Sequence, residues 1–218
     1  MNYELTHSYS TLKLFEQCPK RYWFQRLRRP RLPDPGSAAS AYGERVHAKI
    51  EKYLRGEHDV VPDELVPIKH VLDMLKARGA TAEREVALTR TWAVTGWYSP
   101  DAWLRAKLDA SIIGGGVGLV IDWKTGKRVV DQDQLELFSL VLMTVHPEVR
   151  RTYTAFVWLR EMAIDSDWYP RSSFDAMRGR LMAKIERVEH AASIDQWPAR
   201  PSRLCRWCPA RHLCPDAE

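Results

Sequence analysis

Val117-Gly-Leu-Val-Ile-Asp122-Trp-Lys124 is an aliphatic run that ends in an acid, one intervening residue and a lysine. Its length and branched residues predict a buried strand. Side chains alternate along a strand, so Asp122 and Lys124 share one face while Ile121 and Trp123 share the other. A carboxylate and an ammonium side by side at a strand end can hold a divalent cation and steady charge at a phosphate. The same triplet can also be a surface ion pair, so the neighbouring segments decide its meaning.

Gly114-Gly-Gly116 precedes the run and supplies a turn, which makes Ala102 to Ile112 its hairpin partner. In that partner Leu104, Ala106, Leu108 and Ala110 share one face, and Arg105, Lys107 and Asp109 share the opposite one. Pairing the two strands can set Asp109 beside Asp122. Two adjacent carboxylates repel unless a cation lies between them, which favours a metal site over an ion pair. A third strand is predicted from about Arg84 to Val94, with Val86, Leu88, Trp92 and Val94 on one face and Glu85 on the other.

Helical spacing flanks these strands. Val46, Ile50, Tyr53 and Leu54 mark a helix from Ala41 to Leu54, with His47 beside its apolar stripe and Gly56 closing it. A second helical region runs from Asp63 to Arg78. Asp133 to Val145 reads as a buried helix with Gln134 in its first turn and Phe138 and Val141 on the same face. A strand from Arg151 to Leu159 and a last helix from about Ser172 to Ser193 follow. Upstream, Ser8 and Ser10 offer caps for a helix carrying Leu12 and Phe15, which Cys18-Pro19 can break or kink. A Pro/Gly/Ala/Ser-rich loop spans Pro30 to Ser40. This order predicts an α/β fold whose mixed sheet has helices on both faces.

The 218 residues are enough for one well-buried core and are read as a single domain, 1–218. Hydrophobic residues are 45% and charged residues 28%, an ordinary globular composition. With no apolar run of membrane length and no signal-like segment before Ser8, the expectation is a cytoplasmic protein with no membrane partner. The net charge of +5 is a mild hint of a polyanionic partner. Its distribution says more: Lys20, Arg21, Arg26, Arg28, Arg29 and Arg31 interleave with Tyr22, Trp23 and Phe24. Such mixing suits a nucleic-acid backbone with stacked bases, and equally a helix with a solvated basic edge. Of the four cysteines, Cys205, Cys208 and Cys214 lie within ten residues, which points to a metal rather than a disulfide. Cys205, Cys208, His212 and Cys214 alone would make a plausible zinc site.

Gly43-Glu-Arg-Val-His47, Lys107-Leu-Asp109, Val120-Ile-Asp122-Trp-Lys124-Thr-Gly126 and Gln134-Leu-Glu-Leu-Phe138 together resemble, in order, the motifs of PD-(D/E)XK nucleases of the RecB type. Ser-x-x-x-Leu-x-x-x-Cys18-Pro-x-Arg-Tyr and Cys205-x2-Cys208-x5-Cys214 resemble the iron-sulfur branch. That branch includes the fourth CRISPR-associated protein, the AddB nuclease domain and related phage exonucleases. The resemblance implies a restriction-endonuclease-like core whose N-terminal segment (about 8–30) and C-terminal tail (about 198–218) are joined by a metal cluster.

It further implies Mg2+ or Mn2+ held by His47, Asp109, Asp122 and the Trp123 carbonyl, with Lys124 as the catalytic lysine and Gln134 as the glutamine of a Gln-x-x-x-Tyr motif. Phe138 stands where that motif has its tyrosine, losing a hydroxyl. A glutamate of the family's strand is carried onto Glu85. Cys18, Cys205, Cys208 and Cys214 would hold a 4Fe-4S cluster, with Zn2+ as the alternative. Arg21, Trp23, Arg26, Arg28 and Arg29 are the candidate DNA contacts. The implied activity is a metal-dependent DNA nuclease, foremost an exonuclease on single strands or ends, in recombination, repair, phage DNA metabolism or CRISPR adaptation. A helicase, recombinase or integrase-type protein would be its partner. The competing expectation is a non-catalytic nucleic-acid-binding or assembly subunit of a DNA-processing complex.

Overall fold

The computed structural model of the protein describes residues 3–34 and 36–217, and the chain divides into two compact units. The central unit, 37–178, is built on a six-stranded sheet. Its strands are β1 (Thr81–Leu88), β2 (Val94–Thr95), β3 (Leu104–Gly114), β4 (Val117–Lys124), β5 (Arg151–Trp158) and β6 (Ala163–Pro170), in spatial order β2-β1-β3-β4-β5-β6. All neighbours are antiparallel except β4 and β5, which makes the sheet mixed. A parallel pair needs a crossover, and α5 (Gln132–Val145) supplies it.

Helix α3 (Ala38–Leu54), a 3-10 segment over Asp63–Ile68 and α4 (Lys69–Ala77) cover one sheet face. Val46, Ile50, Leu65, Leu72 and Leu75 pack there on Ala110, Ile121, Trp123 and Val157. On the opposite face Phe138 and Leu142 of α5 pack on Leu108 and Val120. The alternation read from β4 therefore holds: Ile121 and Trp123 go to one side and Val120 to the other. Gly118 allows α5 to come this close, because a Cβ there would stand 2.4 Å from Leu142 Cδ2. The C-terminal carbonyls of α5 are satisfied by Arg171, which donates to Met143 O at 3.0 Å and His146 O at 2.8 Å.

The terminal unit comprises 1–36 and 179–218. Ser8 caps α1 (Tyr9–Gln17) in a reciprocal capping box with Thr11. The chain breaks at Cys18, whose sulfur caps the short α2 (Pro19–Tyr22) before a π-helical turn over Trp23–Leu27. The last helix, α6 (Phe174–Ser193), contributes buried Leu181, Ile185 and Val188 to this unit. Phe15, Tyr22 and Trp197 form an aromatic knot, with Tyr22 and Trp197 stacked at 5.8 Å between centroids. Burial pushes the Tyr22 phenol up to about 12. Glu16 pairs with Lys184 at 2.8 Å and Arg187 at 3.1 Å, and Lys20 N–H donates to Pro198 O at 3.2 Å. Sequence-distant ends are thus joined here by side-chain and backbone contacts.

Four element expectations need correction. The strand read over Arg84 to Val94 is instead β1, three residues earlier, followed by a turn and the two-residue β2; Trp92, at φ 67°, is a turn residue. β6 escapes the reading, because Asp165 and Asp167 make an edge strand look like loop. The helical region from Asp63 to Arg78 is 3-10 up to Ile68 around Pro67. The loop over Pro30 to Ser40, whose position 35 lies outside the described residues, yields to α3 three residues sooner, where Ser37 caps with Ser40. Among the described residues no helix is long and apolar enough to cross a membrane.

Candidate functional site

The hairpin of β3 and β4 is regular up to Ala110 opposite Ile121, and the residues just beyond that pair are Asp109 and Asp122. Both are buried. Asp109 Oδ2 accepts the Trp123 backbone N–H at 2.9 Å and faces His47 Nδ1 at 3.3 Å. His47 reaches this place from the middle of α3, where its Nε2 donates to Trp123 O at 2.9 Å. Gly43, one turn earlier, lets α3 pass close to the end of β4: a Cβ there would lie 3.0 Å from Thr125 Oγ1.

On the other side of Asp122, Lys124 Nζ lies 2.5 Å from Asp122 Oδ2. Gln134 ties the pair together, donating to Asp122 Oδ1 at 3.1 Å and accepting from Lys124 Nζ at 3.0 Å. The first turn of α5 thus fixes the strand end.

The glutamate that joins this group is Glu83, not Glu85. Glu83 Oε1 stands 3.8 Å from His47 Nδ1, and Oε2 lies 2.5 Å from Lys107 Nζ. Glu85 is exposed and pairs across the sheet with Lys107. The ladder pairs Ala82 with Ala110 and Arg84 with Leu108, and Glu83 falls between them at φ 51°, outside the alternation that the sequence suggested.

Two carboxylates, Glu83 and Asp109, therefore flank one imidazole, which also feels the charge of Asp122, with Lys107 on Glu83 and Lys124 on Asp122. The electrostatics follow from that crowding. Burial opposes charge on His47, but hydrogen bonds to Asp109 and Glu83 outweigh it and raise its pKa to about 10. Burial, followed by the charge of Asp109, pushes Asp122 up to about 7, with Lys124 pulling the other way. Burial works to raise Glu83 as well, yet His47 and Lys107 hold it below the usual carboxylate range.

Ligand atoms of His47, Glu83 and Asp109 lie within 4.8 Å of one another, the spacing a single cation can bridge. Asp122 Oδ2 is buried and makes no well-aligned hydrogen bond despite the nearby ammonium. An oxygen-rich donor set with a buried lone pair left over fits a hard divalent cation. Phe138 contributes nothing polar here, being part of the core under β4.

In the terminal unit all four cysteines, Cys18, Cys205, Cys208 and Cys214, line one pocket beside Phe24 and Ala210. Cys18 Sγ accepts from the backbone N–H of Arg21 and of Arg200, each at 3.4 Å, and Cys205 Sγ accepts from Ser202 N–H at 3.3 Å. His212 is not among the residues lining that pocket. Among the described residues, no three cysteine sulfurs lie within 4.8 Å of one another, whereas the sulfurs on a tetrahedral zinc would be about 3.8 Å apart at the usual Zn–S length.

The basic-aromatic segment is more committed to structure than its composition suggests. Arg21 donates to Gln25 Oε1 at 3.1 Å and lies 3.5 Å from Asp34. Trp23 packs edge-on against Phe24 and donates to Tyr3 OH at 3.3 Å. The Arg28 guanidinium stands 5.4 Å over the Phe24 ring, and Arg29 Nη1 lies 3.4 Å from Leu27 O. Arg26 and Arg31 are exposed. Burial, then the charges of Arg29 and Arg26, lowers the Arg31 pKa, as expected where cations crowd without an acid.

A model of the PD-(D/E)XK nuclease superfamily matches residues 6–215. No curated protein matches. Among solved structures, a protein of Eubacterium rectale named "Putative exonuclease" is 14% identical, with 97% of this chain and 89% of that chain covered at a TM-score of 0.59. The crystal structure of SSO0001 is 15% identical, covering 100% of this chain and 90% of that one at a TM-score of 0.46.

Proposed function

The chain belongs to the PD-(D/E)XK nuclease superfamily, and from that premise we propose that it hydrolyses phosphodiester bonds of DNA with Mg2+ or Mn2+, acting on single strands or ends. The observation that carries this reading is the convergence of Glu83 and Asp109 on His47, with Asp122 opposite on the β3–β4 hairpin and locked to Lys124 at the end of β4. Asp109, Asp122 and His47, with the Trp123 carbonyl, are assigned as metal holders, and Glu83 joins them as a further oxygen donor. A bound divalent ion would polarise the scissile phosphate and lower the pKa of the attacking water.

The chain's own groups do the rest. Buried carboxylates beside a protonated His47 leave a site whose charge a dication can take over, and binding it must release the imidazole proton. Gln134 holds Lys124 and Asp122 in one register, so the ammonium points where charge builds on a phosphoryl oxygen. The exonuclease name of the Eubacterium rectale protein, together with the aromatic-basic segment at 20–31, supports ends or single strands as the substrate.

We assign the cysteine pocket to a 4Fe-4S cluster held by Cys18, Cys205, Cys208 and Cys214, since four thiols around one pocket suit it and backbone N–H groups already point at two of the sulfurs. Its role is structural, to tie the ends of the terminal unit together.

End-labelled single-stranded and duplex DNA incubated with Mg2+, Mn2+ or EDTA tests the activity. The expected result is cleavage with either metal, faster on single strands, and none in EDTA. Tight binding with no cleavage under any metal would make the protein a binding subunit instead. The basic segment is tested separately: changing Arg26, Arg28 and Arg29 to alanine should flatten the salt dependence of affinity by up to about 2 in log-log slope, at roughly 0.7 per lost single-strand phosphate contact. An unchanged slope in an anisotropy titration would assign these arginines to a solvated edge.

A further inference from the structure

Besides the cysteine pocket, the terminal unit holds a cavity of about 530 Å³ between α1 and the segment that follows the π-helical turn. α1 lends it Ser10, Lys13, Leu14 and Gln17, which lie at i, i+3, i+4 and i+7 and so share the face opposite its buried Leu12 and Phe15. The other wall is Arg31 to Asp34, and Leu32 N–H donates to Phe24 O at 2.9 Å to hold it to the turn that carries Gln25 and Arg26.

Gln25 is the decisive group. The π-helical turn, a rare coil found mostly at functional sites, buries it along with Phe24 and Leu27 and leaves it 7% exposed. A guanidinium can only donate, so the amide oxygen is the atom that faces Arg21 Nε at 3.1 Å. The NH2 group therefore turns away from Arg21, and among the described residues it makes no hydrogen bond. Buried donors without acceptors are costly, and these two are left to the cavity that Gln25 lines.

The charge of the cavity is one-sided. Among the described residues no acid pairs with Arg26 or Arg31, and the phenol near both, Tyr22, is kept neutral by burial. The carboxylate in the lining, Asp34, is taken by Arg21 at 3.5 Å and by Gly36 N–H at 3.1 Å. Lys13 stands 4.0 Å from Glu16, a carboxylate it shares with Lys184 and Arg187. Two guanidinium groups and an unused amide donor match a phosphomonoester, which carries about 1.5 to 2 negative charges and three acceptor oxygens at neutral pH. A phosphodiester within a strand offers a single charge, and so does a carboxylate side chain of a protein partner. The volume falls in the range of about 300–1,000 Å³ usual for small-ligand sites, and Leu14, Leu32 and Pro33 supply apolar wall for the sugar or base beside the phosphate.

We propose that this cavity binds the phosphomonoester of a nucleotide, free or at the end of a strand, with Arg26 and Arg31 on its charge and the Gln25 amide on one of its oxygens. The strand-end form rests on the nuclease reading; the chemistry of the cavity does not. An enzyme that works from ends would thereby tell a phosphorylated end from a hydroxyl one, which a basic segment gripping phosphodiesters cannot do.

The test is run in EDTA, so that nothing is cleaved. Internally labelled oligo(dT) of one length, bearing a 5′-phosphate, a 3′-phosphate or hydroxyls at both ends, is titrated by anisotropy, and thymidine monophosphate and thymidine are titrated by calorimetry. One of the phosphorylated strands should bind about tenfold or more tightly than the hydroxyl strand, the weight of a charge-assisted hydrogen bond. Arg31→Ala, at an exposed position, should erase that difference, and Arg31→Lys, which keeps the charge, should retain part of it. Gln25→Leu should weaken the phosphorylated strand, and Arg31→Ala carries the test alone should the leucine variant fold poorly. If the three strands bind equally but thymidine monophosphate binds where thymidine does not, and Arg31→Ala abolishes this, the ligand is the free nucleotide. Equal affinity for all three strands with no binding of thymidine monophosphate would overturn the site, as would a preference that Arg31→Ala leaves intact. A phosphate preference in a protein that cleaves no DNA with Mg2+ or Mn2+ would sink the nuclease reading and keep the site. Cleavage with no phosphate preference, for strand or free nucleotide, would do the reverse.

Discussion

Asp109→Asn should lower DNA cleavage by about a thousandfold or more, some 4 kcal/mol of transition-state stabilisation, while leaving DNA affinity close to wild type. Asparagine is the sharper substitution. Asp109 Oδ2 accepts the buried Trp123 N–H, and alanine would leave that donor unsatisfied at a cost of about 1–3 kcal/mol. Asparagine keeps an acceptor for Trp123 and removes only the charge. A melting curve within a few degrees of wild type together with lost turnover would place the role in chemistry. Turnover near wild type in the purified Asn variant would remove Asp109 from the site.

Lys124→Ala belongs to the same experiment but separates two causes by pH. Lys124 pulls the Asp122 carboxyl down against burial and the Asp109 charge. Without it the folded-state pKa of Asp122 rises further above about 7, so more of the carboxyl is protonated at neutral pH. If the lysine acts only by keeping Asp122 ionised, activity should return as pH rises through that higher value. If the ammonium itself meets the phosphate, activity should stay low at every pH, which is the expected result.

The parts of the site that could be read from sequence are those where local rules are obeyed. The Gly114-Gly-Gly116 turn and the alternation along β3 and β4 predict that Asp109 and Asp122 are neighbours, and Gly43 with His47 sits on a helix whose apolar spacing is unambiguous. Glu83 was out of reach because its backbone leaves the strand region, so counting by twos carries the eye to Glu85. The same conformational exception at Trp92 turns one long expected strand into a strand, a turn and a short hairpin arm. β6 illustrates a different limit: an edge strand protected by Asp165 and Asp167 has the composition of a loop, and only its pairing with β5 reveals it. In the terminal unit, the basic run at 20–31 was legible as composition but not as contacts. Whether Arg28 serves a phosphate or the Phe24 ring is decided by packing that no local pattern encodes.

The second large effect concerns the cysteines, which differ in what each candidate metal asks of them. With a 4Fe-4S cluster on all four thiolates, Cys18→Ala should remove the brown colour and the broad visible absorption of anaerobically purified protein as fully as Cys208→Ala, although the two lie at opposite ends of the chain. His212→Ala should then change little, in keeping with its absence from the residues lining the pocket. A local zinc site reverses the ranking: His212 becomes essential, Cys18 dispensable and the protein colourless. Stability should follow the metal, because the cavity brings Cys18 at the start of α2 together with the tail at 205–214, and binding free energy there is folding free energy. Cys18→Ala should therefore lower the melting temperature by well over the few degrees expected from one lost helix cap of about 1 kcal/mol. The lost cap is real, since Cys18 Sγ accepts from Arg21 N–H, so Cys18→Ser is the control: a hydroxyl can cap α2 but is a poor ligand for iron. A serine variant that is colourless and as unstable as the alanine variant assigns the stability to the cluster. One that melts like wild type, from a colourless and zinc-loaded parent, would refute the iron-sulfur assignment and leave the acidic site untouched.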